Sequence, residues 1–324
     1  KQPVYVMNSI VCHSKRLNRF VWCPLLVATF FWVAEGVTAN GAAAGRTFRS
    51  PEEAVGALST AVKARDTNAL ATIFGPAIAD IMSPDPVQAQ NELDEFAERL
   101  TEANHIERAD NGRRVLEIGQ DRWPFAIPIA QKGKDWFFDT EAGKEELINR
   151  RIGRNELDAL KSVRAYVEAQ REYAGKDRDF DEVLEYAQKF FSTPGTKDGL
   201  YWPAPDGDVS PLGPLFAEAQ SLGYLTKPRD ENDPQPFNGY FFKILTEQGK
   251  HAPGGAYNDI INGNMIAGFG LVAWPADYGD SGVMTFIINQ QGKVYQKDLG
   301  RETPSIIKDM NAYNPDPSWK PSKE

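Results

Sequence analysis

Cysteine is nearly absent: the two copies, Cys12 and Cys23, both fall within the first 44 residues. From residue 45 onward, therefore, no disulfide, thiolate nucleophile, CxxC redox pair or thiolate zinc site can form. Histidine is almost as scarce, with His105 and His251 the copies beyond residue 44. A zinc site there would have to draw on carboxylates. Positive charge is also short. The chain carries a formal −9, and without residues 1–44 the balance is 32 bases against 44 acids, or −12. Such a field repels phosphate backbones and anionic lipid heads, and no basic run with interleaved aromatics offsets it, so nucleic acid is set aside as a partner. Gly254-Gly255 lacks the Lys-Ser/Thr of a phosphate cradle, and no GxGxxG follows a strand.

What is present begins with an address. Lys15, Arg16 and Arg19 precede an apolar run over residues 20–34, followed by the small residues Val37-Thr38-Ala39 and Ala42-Ala43-Ala44. As a helix this run rises about 22 Å, short of the roughly 30 Å hydrocarbon core, so it predicts a cleaved signal rather than a span. Met7 is the expected start, and cleavage is expected after Ala39 or Ala44. Cys23 lies inside the run and Lys15-Arg16 lacks paired arginines, which argues against lipoprotein and twin-arginine export. The expected destination is the periplasm or the exterior, by the general secretory route.

The rest reads as α+β in two domains, residues 45–145 and 146–313, with an extended, poorly packed tail over 314–324. Ser50-Pro51-Glu52-Glu53 has the composition of a helix start, and Val55, Leu58 and Val62 recur at helical spacing. A second helix is expected from Asp66 or Thr67. A third follows Pro84 and Pro86, with Leu93, Phe96 and Leu100 on one side. Strands are expected at Val115–Ile118, Phe125–Ile129 and Trp136–Phe138. In the second domain a long helix over about residues 141–173 precedes a Pro/Gly-rich stretch. That stretch carries a short helix at Leu215–Leu222. Strands follow at Tyr240–Leu245, Met265–Trp274, Val283–Asn289 and Val294–Lys297, with Gln291-Gly292 as the last turn.

Three resemblances attach to these segments. The order of elements over residues 47–145, helices then a curled antiparallel sheet, resembles the cone fold of nuclear transport factor two and its bacterial relatives. That likeness implies either an apolar pocket or a filled core. Trp123-Pro124-Phe125, Arg151-Ile152-Gly153-Arg154-Asn155-Glu156-Leu157, Asp198-Gly199-Leu200-Tyr201-Trp202-Pro203 and the run from Gly268 to Gly300 are similar to a bacterial exported family known as domain of unknown function 2950. It brings no activity or catalytic residues. Arg154-Asn155-Glu156 with Ala159-Leu160, Val163-Arg164, Ala169-Gln170 and Tyr173 resembles the helix of pilin and pseudopilin heads. Residues 140–156 are too polar for a filament core, so the resemblance implies a head without the polymerising stalk.

Candidate chemistry is sparse. Asp177, Asp179 and Asp181 follow a D-x-D-x-D spacing that suits oxygen ligands around calcium, with Glu185 as a fourth ligand. Glu182 and Gln188 stand where an EF-hand loop has glycine and glutamate, and a solvated acidic turn capping a helix is the competing reading. Gly279-Asp280-Ser281-Gly282 matches the string around a protease nucleophile, but a tight turn between strands explains it equally. Asp206 and Asp208 beside Trp202 form a carboxylate pair suited to acid–base work on a sugar. Tyr201, Trp202, Tyr240, Phe241, Phe242 and Trp274 suit either a ligand groove or a buried core. The expected function is that of a soluble, non-catalytic envelope protein binding a partner protein or small ligand. A carboxylate-dependent hydrolase and an accessory of a secretion or pilus system are the alternatives.

Overall fold

Ser50 starts the first helix by chemistry visible in the sequence. Its Oγ accepts from the Glu53 amide at 3.2 Å while the Glu53 carboxylate accepts from the Arg49 amide at 3.0 Å. This reciprocal cap opens α1 (Pro51–Lys63), whose Ala54, Val55, Leu58, Ala61 and Val62 are buried. The structure, a computed structural model, describes residues 45–322 except 110–111, 179, 204–206 and 225–234. The predicted signal segment lies outside the described residues. Asp66 caps α2 (Thr67–Phe74) and Asp85 caps α3 (Pro86–Glu102). A 3-10 turn at Pro76–Asp80 connects the two helices.

An antiparallel sheet follows, built from β1 (Asn104–Arg108), β2 (Arg114–Ile118), β3 (Trp123–Pro124), β4 (Ile129–Lys132) and β5 (Asp135–Phe138). β1 escapes a pattern search because Asn104, His105, Glu107 and Arg108 are exposed along an edge. The strand expected at Phe125–Ile129 is replaced by the two short strands β3 and β4. Pro124 and Pro128 bracket the intervening residues and supply no amide to a ladder. Gly133-Lys134 does turn β4 into β5, with Lys132 opposite Asp135.

A 34-residue helix, α4 (Thr140–Tyr173), then runs about 51 Å. The expected domain boundary at residues 145–146 lies inside it. Thr140 bonds the Phe74 carbonyl at 2.8 Å and Lys144 pairs with Asp80 at 2.7 Å, fixing its start against the first helices. A Cβ on Gly143 would lie 2.7 Å from Ile127 Cα, so this close crossing requires glycine.

The later half of α4 buries Ala159, Leu160, Val163, Tyr166, Val167, Ala169 and Tyr173 against a second sheet. The remaining elements are α5 (Gly213–Ser221), β6 (Tyr240–Leu245), β7 (Glu247–Gln248), β8 (Tyr257–Asn258), β9 (Ile260–Ile261), β10 (Asn264–Met265), β11 (Gly270–Pro275), β12 (Met284–Asn289), β13 (Tyr295–Asp298), α6 (Thr303–Lys308), β14 (Ala312–Tyr313) and β15 (Lys320–Pro321). The sheet order is β15-β13-β12-β11-β6, all antiparallel. Leu271, Ala273, Phe286 and Ile288 face α4, whereas Val272, Ile287 and Leu245 join Ile307, Tyr313 and Trp319 on the opposite face. The period of two thus serves two cores. This is an α+β protein. Among the described residues no helix is long and apolar enough to cross a membrane.

Two further expectations are corrected. The strand predicted from Met265 starts at Gly270, because the Ile266 and Ala267 amides both bond the Asp259 carbonyl and turn the chain. The tail is packed, not loose. Trp319 is 8% exposed, and β15 pairs with β13 through Gln296–Lys320 and Tyr295–Pro321. A run of prolines reads as extended and unpaired, yet a proline on an edge strand still offers its carbonyl.

Candidate functional site

A half-open cleft borders the first core. A cavity of about 600 Å³ lies among α1, α2, α3, the sheet and the first half of α4. Leu58, Val62, Leu70, Phe74, Ile118 and Ile127 are buried and line it. Their spacing follows from the helical stripes and the β2 pleat already legible in the sequence. Ile78, Ala89, Leu93, Phe96, Phe125 and Leu147, all partly buried, complete an apolar wall. The cavity's volume falls within the range of small-molecule sites.

The charged part of the lining comprises Arg99, Arg150, Arg151 and Arg154 with Glu92, Glu95 and Asp121. Trp123, half exposed, stands at the rim between two guanidinium groups: Arg150 lies 5.2 Å and Arg99 6.0 Å from its ring centre. Arg99 holds both oxygens of Asp121 at 2.6 and 2.7 Å. Arg150 donates to Glu146 at 2.7 Å and to the Pro124 carbonyl at 2.8 Å. Arg154 reaches Glu92 at 3.4 Å, and burial pushes the Glu92 carboxyl above its ordinary range against the pull of Arg151 and Arg154. Arg151 is 4% exposed and donates to Asp280 and to the Ile81 carbonyl. The Nε–H groups of Arg99 and Arg151 are buried with no hydrogen-bond acceptor among the described residues.

The residues singled out from the sequence lie elsewhere. Asp177 accepts from the amides of Phe180 at 2.7 Å and Glu182 at 3.0 Å. Asp181 accepts from the Val183 amide and from Asn264 Nδ2, each at 2.8 Å, and Glu185 accepts from the Met265 amide at 3.2 Å. These carboxylates hold an irregular turn. The helix expected to carry Val183, Leu184 and Tyr186 is absent, because Tyr186 bridges instead to Met265. Asp179 lies outside the described residues. Among those described, no group of three or more His, Cys, Asp or Glu gathers as metal ligands do.

Ser281 is fully buried, with its Oγ and the Asp277 backbone bonded in both directions at 2.9 and 3.1 Å. The tight turn accounts for that string. Asp206 is outside the described residues, and Asp208 pairs with Lys197. Trp202 and Tyr240 belong to the core beneath α4, with Phe242 packed against it, and Phe241 lies 5.7 Å from Trp274 across the sheet.

The arginines of the cavity went unmarked as site residues in the sequence. Arg150 counted only towards the polarity of residues 140–156, Arg151 and Arg154 also towards the family and pilin likenesses, and Trp123 only towards a family likeness. The one available clue was a glycine among charged residues at Gly143, where a helix crosses the backbone that lines a pocket. No curated protein and no solved structure matches the chain. A family model does match over residues 45–322, and the chain belongs to that family, described as a protein of unknown function (DUF2950).

Proposed function

We propose that this is an exported, non-catalytic ligand-binding protein whose cavity in the first core takes an apolar small molecule. The observation that carries the reading is the cavity of about 600 Å³, whose lining is mostly apolar. An apolar body entering such a space leaves water at about 25 cal/mol for every Å² covered. The preformed wall of α1, α3 and α4 needs little reordering, which favours affinity. The basic and apolar segment ahead of residue 45 supports action outside the cytoplasm.

The test is a fluorescence titration with a neutral naphthylamine probe that brightens in apolar surroundings. One site of micromolar strength is expected. Ala89→Trp adds an indole at a partly buried lining position. It should abolish binding and leave the melting temperature near that of the parent. Undiminished binding in that variant places the probe elsewhere and ends the reading.

A further inference from the structure

We propose that the turn at residues 177–185 and the β9–β10 hairpin form a docking face for a partner protein, one that presents an apolar pocket ringed by lysine and arginine. This face shares no residue with the lining of the cavity.

Large apolar side chains stand in water here. Phe180 is 88% exposed and Leu184 59%, and Ile261 and Ile266 are exposed as well. Hydrogen bonds hold the two segments together. Asp181 accepts from Asn264 at 2.8 Å, Glu185 accepts from the Met265 amide at 3.2 Å, and the Tyr186 amide donates to the Met265 carbonyl at 2.8 Å. Met265 and Ile260 pack into the core beneath α4, so the pleat turns their neighbours Ile266 and Ile261 outward. Single exposed apolar residues are ordinary, whereas several together mark an interaction site.

The Phe180 ring is held out by the chain around it. Its backbone is left-handed at φ 66°, as is that of Glu182 at φ 69°, a conformation that a bulky residue rarely takes. The Asp177 carboxylate fixes both by accepting from their amides. Asp177 and Asp181, read from the sequence as calcium ligands, thus mount an aromatic knob and tie the mount to the hairpin.

Charge selects the occupant. Residues 176–185 carry five acids against two bases, and residues 260–266 carry no charge. Of the two bases, Arg178 is drawn away over the rings of Tyr173 and Trp202, at 5.2 and 5.0 Å. Asp181 and Glu182 are exposed and enter no ion pair among the described residues. An acidic rim around apolar side chains repels anionic lipid heads and the same face of a second copy, and it complements a basic rim.

The experiment places the photo-crosslinking residue benzoyl-phenylalanine at position 180 of the full chain, in the cells that naturally produce it. Position 105, on the exposed edge of β1, serves as the control. An adduct with another protein is expected from position 180 and not from 105. With that protein purified, Phe180→Ser should weaken its binding at least about tenfold, as loss of a central aromatic anchor does. Glu182→Lys should weaken binding in dilute buffer and lose that effect near 1 M salt, where charges are screened beyond about 3 Å. Ala89→Trp in the cavity should leave binding unchanged. Phe180→Ser should melt at the parent's temperature, because the ring lies almost wholly in solvent. The proposal is overturned by no adduct above the control, by an adduct with lipid or with a second copy of this chain, or by flotation of the chain with phosphatidylglycerol vesicles. A captured protein that binds Phe180→Ser as tightly as the parent overturns it too.

Discussion

Arg151→Met is the substitution with the most closely argued cost. The guanidinium is 4% exposed and ties the turn carrying Asp280 and the carbonyl of Ile81 to α4. Methionine replaces most of the stem and keeps helix propensity. What it removes is charge and donors. Breaking a fully buried pair by deleting one partner costs about 3–5 kcal/mol. The Asp280 side chain is 27% exposed, so water takes up part of the loss and about 2 kcal/mol remains. The freed Ile81 carbonyl adds about 1 kcal/mol. Urea denaturation at pH 7 should therefore show a loss of about 3 kcal/mol. The pH dependence supplies an internal check. Burial already raises the Asp280 carboxyl, and Arg151 opposes that rise. Without Arg151 the carboxyl climbs further, so the folded variant gains protons as pH falls and its deficit shrinks. Adding Asp280→Asn should recover part of the loss at pH 7. A loss under about 1 kcal/mol, or a deficit independent of pH, would refute the reasoning.

Three other outcomes follow from the same structure. Burial, with Glu247 nearby, pushes the Asp259 carboxyl up to about 6. Its contribution is complete below about pH 4 and disappears as pH rises through 6, so Asp259→Asn should flatten a slope of up to about 3 kcal/mol in stability measured across that window. Gly143→Ala brings a Cβ to 2.7 Å from Ile127 Cα, which should outweigh the helix gain and cost about 1–3 kcal/mol by thermal denaturation; a stabilised variant contradicts the close crossing. Trp319→Ala should cost about 3 kcal/mol, and a neutral result by denaturant titration would return the tail to the loose state its sequence suggests.

The helices were legible where local chemistry decides them. Ser50 caps the first helix and Asp66 the second, where the sequence placed their starts, and the stripe of Val55, Leu58 and Val62 points inward. The strands of the second sheet were legible where burial on both faces forces apolar runs, as at Met284–Asn289. Failures occurred where one long-range contact overrides the local signal. Asp259 ends the Met265 segment from across a turn, and Tyr186 leaves a helix-like stretch to bridge Met265. Polar β1 carried no alternation at all. The cavity was hidden for a different reason. Leu58, Val62 and Phe74 read as core whether or not a cleft opens beside them, and sequence records which side chains point inward, not how far apart they stop. The aspartates at 177 and 181 attracted notice as ligands because spacing shows the carboxylates, while the amides they bond are set by the fold.

Methyl-resolved NMR during addition of the neutral probe tests the cavity as a ligand site most directly. The account predicts saturable shifts in the methyl groups of Leu58, Val62, Leu70, Ile118 and Ile127, with those of Val272 and Ile287 in the other sheet unmoved. Shifts confined to the second sheet, or none among the five at saturating probe, would contradict it.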